Sequence, residues 1–305
     1  MLDATIGSLE LGLLYAIMAL GVYITFRILD FPDLTVDGSF TTGGAIAAVM
    51  ITGGSSPLLA TAAAFCGGII AGACTGLLHT KGKINALLSG ILMMIALYSI
   101  NLRIMGKKSN ISMLGVDTLL SDANVLLVMP IIVLVVKLGL DWFFRTDLGL
   151  ALRATGDNQR MIRSFGVNTD STIIVGVSLS NGLVAMSGAL IAQYSAFAEI
   201  TMGVGMIVIG LASVIIGEAI FGARTIVRAT LAVIFGAIIY RLVVAVALRV
   251  GLEATDMKLM TALIVIVALM LPMINKSYKQ KALVRKRMSL LQQPGTDTTV
   301  DGGTK

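Results

Sequence analysis

Long apolar runs, separated by short polar interruptions, divide the chain into nine segments that could each cross a bilayer, a crossing needing about 20 mostly apolar residues. They fall near Ser8 to Leu29, Asp37 to Thr52, Pro57 to Leu78, Ile84 to Met105, Ala123 to Phe144, Thr172 to Tyr194, Gly203 to Phe221, Ile226 to Val250 and Thr255 to Ile274. The second is short and polar at its start, so it either spans or re-enters. The pattern predicts an all-α, polytopic membrane protein, a helical bundle of about 8–9 transmembrane segments occupying residues 1–275. Residues 276–305 form a tail that turns from basic to Gly/Thr/Asp-rich, and its last stretch is expected to be disordered. Composition agrees: 13% of residues are charged and mean hydropathy is +0.92, against roughly 25% charged in soluble proteins.

The first ten residues, MLDATIGSLE, carry Asp3 and Glu10 where a secretory signal would be positive, so the first segment is expected to stay. Glycines recur at helical spacings inside segments, as at Gly68, Gly72 and Gly76. Such small-residue stripes let membrane helices approach closely. The two halves also share a plan: a long helix, a polar break, then a Gly-rich segment. In the first half the break is DFPDLTVDGSF and in the second SAFAEITMG. With the long helices running in opposite directions, this suggests two inverted halves, a recurring transporter arrangement.

One polar island stands apart, Arg145 to Thr172, reading RTDLGLALRATGDNQRMIRSFGVNTDST. Within it Asp157 is placed to cap a short helix that Gly166 ends. Met161, Ile162 and Phe165 share a face of that helix, with Arg160 and Arg163 beside them. The trio is either a grip for a partner or folds back on the protein's own surface. Placing the island and the tail on one side of the membrane puts 16 Lys/Arg residues there and 5 on the other, Arg103, Lys107, Lys108, Arg249 and Lys258. The positive-inside rule makes the richer side cytoplasmic, with the C-terminus inside. The net charge of +6 lies at segment ends and in the tail, so it does not point to nucleic acid.

Candidate chemistry is sparse. Pro32 breaks helix in the first polar interruption, and Asp37 or Ser39 could cap the helix after it. Asp30, Asp33 and Asp37 there are either a solvated connector at the interface or face a solute path; intramembrane carboxylates are functional-site candidates. Asn101, Lys137, Asn181, Gln193, Glu199, Glu218 and Arg241 are further polar groups within or beside segments, and sequence alone does not pair them. The candidate translocation path is therefore Asp33, Asp37, Asn181, Glu199 and Glu218. His79 is the single histidine, and Cys66 and Cys74 lie on one helix face, where they read as small contact residues. No nucleophile constellation, metal set or phosphate-binding glycine loop is evident, so neither an enzyme nor a cofactor is expected.

The run GLALRATGDNQRMIRSFGVNTD resembles the cytoplasmic coupling segment of permease subunits in bacterial ABC importers of the branched-chain amino acid and ribose type. The matching positions are Gly149, Arg153, Ala154, Gly156, Asn158, Gly166, Val167 and Asn168, while Ile162 replaces the family's usual small residue. LGLLYAIMALGVYITFRILDFPDLTVDGSFTTGGAIAA and GLASVIIGEAIFGARTIVRATLAVIFGAIIY are similar to two further conserved stretches of that family. The resemblance implies a permease in the bacterial cytoplasmic membrane, moving a small solute, an amino acid with aromatic or branched-chain ones foremost. It further implies separate ABC ATPase subunits, an extracytoplasmic solute-binding protein and a second permease copy as a homodimer, in contact with membrane lipid. On this reading residues 145–171 are the coupling segment, with Arg153, Gly156, Asp157, Asn158, Met161, Ile162, Phe165 and Gly166 gripping the ATPase. The alternative is a stand-alone ion-coupled transporter or channel using Asp33, Asp37, Glu199 or Glu218.

The charge asymmetry gives a direct test. A cysteine placed in the Gly106 to Asp122 loop should react with an impermeant thiol reagent added outside intact cells, and one placed between Arg145 and Thr172 should not; the reverse pattern would invert the topology.

Overall fold

The computed structural model describes residues 2–121 and 125–249, with positions 259, 262, 263, 266 and 270. Residues 1–265 form one compact unit and 266–305 another, of which only Ile266 and Met270 are described. Of the expected ninth segment only those five positions are described, and the boundary at 275/276 and the tail lie outside the described residues.

The elements follow the apolar runs. They are α1 (Leu2–Tyr23) with a π-helical turn (Ile24–Ile28), α2 (Thr35–Thr52), α3 (Pro57–Thr80), α4 (Ala86–Ile104), β1 (Asn110–Ser112), α5 (Val125–Phe143) and α6 (Asp147–Asp157). There follow α7 (Gln159–Ser164), α8 (Thr169–Ser195), β2 (Phe197–Glu199), α9 (Met206–Phe221) and α10 (Ile226–Arg249). Polar side chains fix several starts: Ser56, Asn85 and Asn168 each accept a backbone N–H from the first turn of α3, α4 and α8, and Pro57 occupies the first turn of α3.

Among the described helices six are long and apolar enough to cross a membrane: Ile6–Ile28, Pro57–Thr80, Ala86–Ile104, Val125–Phe143, Thr169–Ser195 and Ile226–Ala247. The expected segments Asp37 to Thr52 and Gly203 to Phe221 are helical but do not join them. α2 starts in a polar sequence, and α9 has 16 residues, about 24 Å at ~1.5 Å per residue against a hydrocarbon core of about 30 Å. α2 is nevertheless buried over most of its length.

α8 is the central post. α1 runs antiparallel to it, with the Leu14 carbonyl at Ser187 and the Gly21 carbonyl at Ser180. α2 runs parallel to it, Ser39 meeting Asn181 and Gly43 meeting Ala185. α9 in turn runs parallel to α1, through Gly210 at Val22 and Glu218 at Arg27. The pairs α1/α8 and α2/α9 are thus oppositely directed, as the shared plan of the halves suggests. Moreover α8 packs on α2 and α3 while α1 packs on α9 and α10, so the long helix of each half is held by the other half. β1 and β2 form a two-stranded antiparallel ribbon at the end of the bundle opposite α6 and α7, Asn110 facing Glu199. α4 and α5 line the outside, where Leu92, Leu127, Ile131 and Leu134 are exposed, as suits a surface bathed in lipid.

α2 and α8 meet backbone to backbone, because a Cβ on Gly43 would overlap the carbonyl of Ala185 and one on Gly188 that of Phe40. Gly43→Ala should therefore force the helices apart and lower stability by about 1–3 kcal/mol, the usual cost of overpacking. Gly139→Ala, with open space around it, should be neutral. Melting of the purified protein in detergent checks this, and equal melting temperatures would show that the contact yields freely.

Candidate functional site

The first polar break follows from its residues. α1 ends in the π-helical turn, the Phe31 N–H donating to the Thr25 carbonyl at 2.9 Å, and Asp30 sits at a positive φ of 51°. Pro32 then blocks helix until Thr35. Asp33 is only 1% exposed, so it is not a solvated connector. One carboxylate oxygen accepts the Thr35 N–H at 2.9 Å and the other accepts Asn181 Nδ2 at 2.6 Å. Asn181 Nδ2 also donates to the Val177 carbonyl, and its Oδ1 accepts the Ser39 hydroxyl at 2.6 Å. Thr35 and Thr75 hydroxyls lie 2.8 Å apart. The helix start expected to be capped by Asp37 or Ser39 is held by Asp33 instead, because α2 begins two residues earlier than Asp37. Thr75 stands five residues before the end of α3, so α2 begins about 8 Å inside the bundle.

The second break, Ala196 to Gly205, is closed from the first. Asp37 projects from α2 to the start of α9, where its two oxygens accept the Gly205 N–H at 2.8 Å and the Ile207 N–H at 2.9 Å. The Thr41 hydroxyl accepts the Gly203 N–H at 3.1 Å. An anion at a helix N-terminus is favoured by the peptide dipoles as well as by the hydrogen bonds. Asp33, Asp37 and Asn181 thus sit together near the two interior helix starts. Glu199 and Glu218 do not join them: Glu199 lies exposed on β2, and Glu218 meets Arg27 at 2.9 Å near the opposite end of the bundle.

The buried charge at Lys137 finds its partner one turn along its own helix, 2.6 Å from Asp141, which also accepts the Thr230 hydroxyl of α10 at 2.9 Å. Asp141 escaped the sequence reading, although its i,i+4 spacing was a usable signal. Arg241 stacks on the Tyr15 ring, 3.9 Å from its centroid, and that ring stacks on Phe40. Gln193 links α8 to Thr61 and to the backbone of Leu119, and Asn101 ties α4 to Thr42 and the Gly38 carbonyl.

The island is two helices, not one. α6 starts at a Thr146 cap and ends at Asp157, and α7 follows under an Asn158 cap whose Oδ1 accepts the Met161 N–H. The expected cap Asp157 is the last residue of α6, since the chain turns at Asn158 in extended conformation. Gly166 ends α7 at a positive φ of 83°. Met161 and Phe165 are 54% and 72% exposed, and Ile162 is half-buried. α6 lies against the π-helical turn so closely that a Cβ on Gly156 would overlap the Ile28 carbonyl. Thr155 and Thr172 hydroxyls lie 3.0 Å apart, and Arg163 donates to Thr169 and Asp170. Arg153 and Asp157, with Tyr23, Arg27 and Glu218, line a polar cavity of about 380 Å³.

A family model described as branched-chain amino acid transport system / permease component matches residues 4–273. The tyrosine transport system permease protein of Clostridioides difficile is 45% identical over 92% of this chain and 95% of its own. An uncharacterised Rickettsia prowazekii protein is 33% identical over 88% of this chain and 97% of its own. The ribose import permease of Escherichia coli is 27% identical over 66% and 65%. No solved structure matches the chain.

Replacing Asp33 by Ala would leave the Thr35 N–H and an Asn181 amide proton unpaired in a dry interior, at about 1–3 kcal/mol for each group. The Asp33→Ala protein should melt well below wild type, while Asp117→Ala, at an exposed loop position, should not; indistinguishable melting would mean the break is held by something else.

Proposed function

We propose a division of labour within this chain from the premise that it belongs to the permease-component family of branched-chain amino acid transport systems. It is a membrane-spanning, multi-pass subunit of an ABC importer of small solutes, a transporter component that works with an ATPase and a solute-binding protein. The helices long enough to span form the permease, and α6–α7 are its coupling element. The single observation behind this is the exposure of Met161 and Phe165 on a short capped helix outside the spanning segments. Fully burying such side chains is worth about 1.5–3 kcal/mol each, before the costs of association.

The end of the bundle bearing α6 and α7 is the cytoplasmic one, which the Lys/Arg excess around Arg27, Arg153, Arg160 and Arg163 supports. A stroke delivered to α7 passes through α6 and Gly156 to the Ile28 carbonyl, then along the π-helical turn to Asp33 and the interior helix starts. Arg153 and Asp157 flank that route beside the Arg27–Glu218 pair. Asp33, Asp37 and Asn181 brace the path, and a second copy of the chain completes it. The solute is an amino acid, with aromatic ones favoured by the tyrosine permease likeness.

Phe165→Asp would place an unpaired charge in the ATPase contact. The variant should insert and fold, yet copurify without ATPase and show no ATP-driven uptake. Retention of the ATPase with uptake intact would sink the assignment of α7.

A further inference from the structure

The outer wall of the bundle carries a cleft of about 360 Å³ between α2, α4 and the segment leading into α9. Asp37 and Thr41 line it together with Met94, Tyr98, Ser99 and Val204. Positions 94–99 lie at the middle of α4, a helix long enough to cross a membrane, so the cleft sits near mid-bilayer. Tyr98 is 52% exposed. Among the described residues neither its phenol nor the Ser99 hydroxyl has a hydrogen-bond partner in the protein, and hydrocarbon offers none. The other polar groups there are already committed: Thr41 to the Asp37 carbonyl and the Gly203 N–H, and Asn101 to Thr42 and the Gly38 carbonyl. Asp37 is half committed. Its two backbone donors occupy two of roughly four acceptor positions on a carboxylate, and no Lys, Arg or His lines the cleft.

We propose that this cleft is a solute subsite on the translocation path, shaped for an aromatic amino acid. The Tyr98 ring stacks on the solute's ring, at the 4.5–7 Å centroid spacing typical of aromatic pairs. The free acceptor positions of Asp37 take the ammonium group, and the Ser99 hydroxyl supplies a further polar contact. Met94 and Val204 give the apolar walls that a ring needs and an ion does not. The proposal rests on the reading of the chain as an amino-acid importer, and it adds the residues that would select the side chain inside the membrane domain.

Asp37 is a poor test residue, because its removal also uncaps α9. The informative positions are Tyr98 and Ser99, studied in vesicles holding the whole importer with its ATPase and binding protein. Tyr98→Ala should lower uptake of tyrosine relative to leucine by roughly fivefold to tenfold, the equivalent of one aromatic contact, and Tyr98→Phe should keep the wild-type ratio. In a background of Cys66→Ala and Cys74→Ala, Ser99→Cys should react with a charged, water-soluble thiosulfonate, and tyrosine should slow the reaction. Ile100→Cys, about 100° further round α4, should stay inert. If Ser99→Cys is as inert as Ile100→Cys, the cleft faces lipid and the proposal is overturned. Wild-type uptake separates the two possible failures. Intact tyrosine uptake with an unchanged ratio in Tyr98→Ala overturns the subsite alone, whereas wild-type vesicles that accumulate no amino acid overturn the importer reading and the subsite's ligand with it.

Discussion

An interrupted helix inside a membrane exposes backbone N–H groups that nothing in the hydrocarbon can satisfy. Two such interruptions occur here, and two aspartates from a single short stretch meet the need of both. Asp33 closes the start of its own helix α2, and Asp37, one turn on, closes the start of α9 in the other half. The short polar sequence DFPDLTVD therefore fixes more than a local bend. It joins the two halves at the point where both helices begin, and the placement of α2 against α8 depends on the same group through Asn181.

Around that junction the packing is uneven in an informative way. α2 and α8 meet backbone to backbone, Gly43 on Ala185 and Gly188 on Phe40, which leaves little room for relative sliding. α4 and α5 are held mainly along one face and present Leu and Ile outward. Close-packed interiors transmit displacement rather than absorb it. On the proposed coupling route, a push at Gly156 would meet a stiff α1–α8–α2 core, and any change in the accessible cleft would come from movement of that core against its looser flank.

The fold class and nearly every helix within the described residues were legible in the sequence, because apolar runs of 19 to 27 residues leave few alternatives. So was the antiparallel relation of the halves, which the order of long helix, break and Gly-rich segment already carries. The site was less legible. Asp33 and Asn181 lie 148 positions apart, and no local pattern ties them. The cap of α7 was misplaced by one residue because Asp157 and Asn158 are both good caps, and only the extended backbone at Asn158 decides between them. Glu199 and Glu218 looked alike in sequence as acids near apolar helices, yet topology sends them to opposite ends of the bundle.

The Lys137–Asp141 pair has a consequence for biosynthesis. A lone lysine at the centre of a nascent segment costs about 2.5–3.5 kcal/mol to insert. Because Asp141 stands one turn away on the same helix, α5 can carry its own counter-ion through the translocon without waiting for a later helix. Thr230 joins only later, when α10 docks. The neutral pair thus travels as cargo of one segment, and Lys137 is paired at whatever point in synthesis α5 enters the lipid.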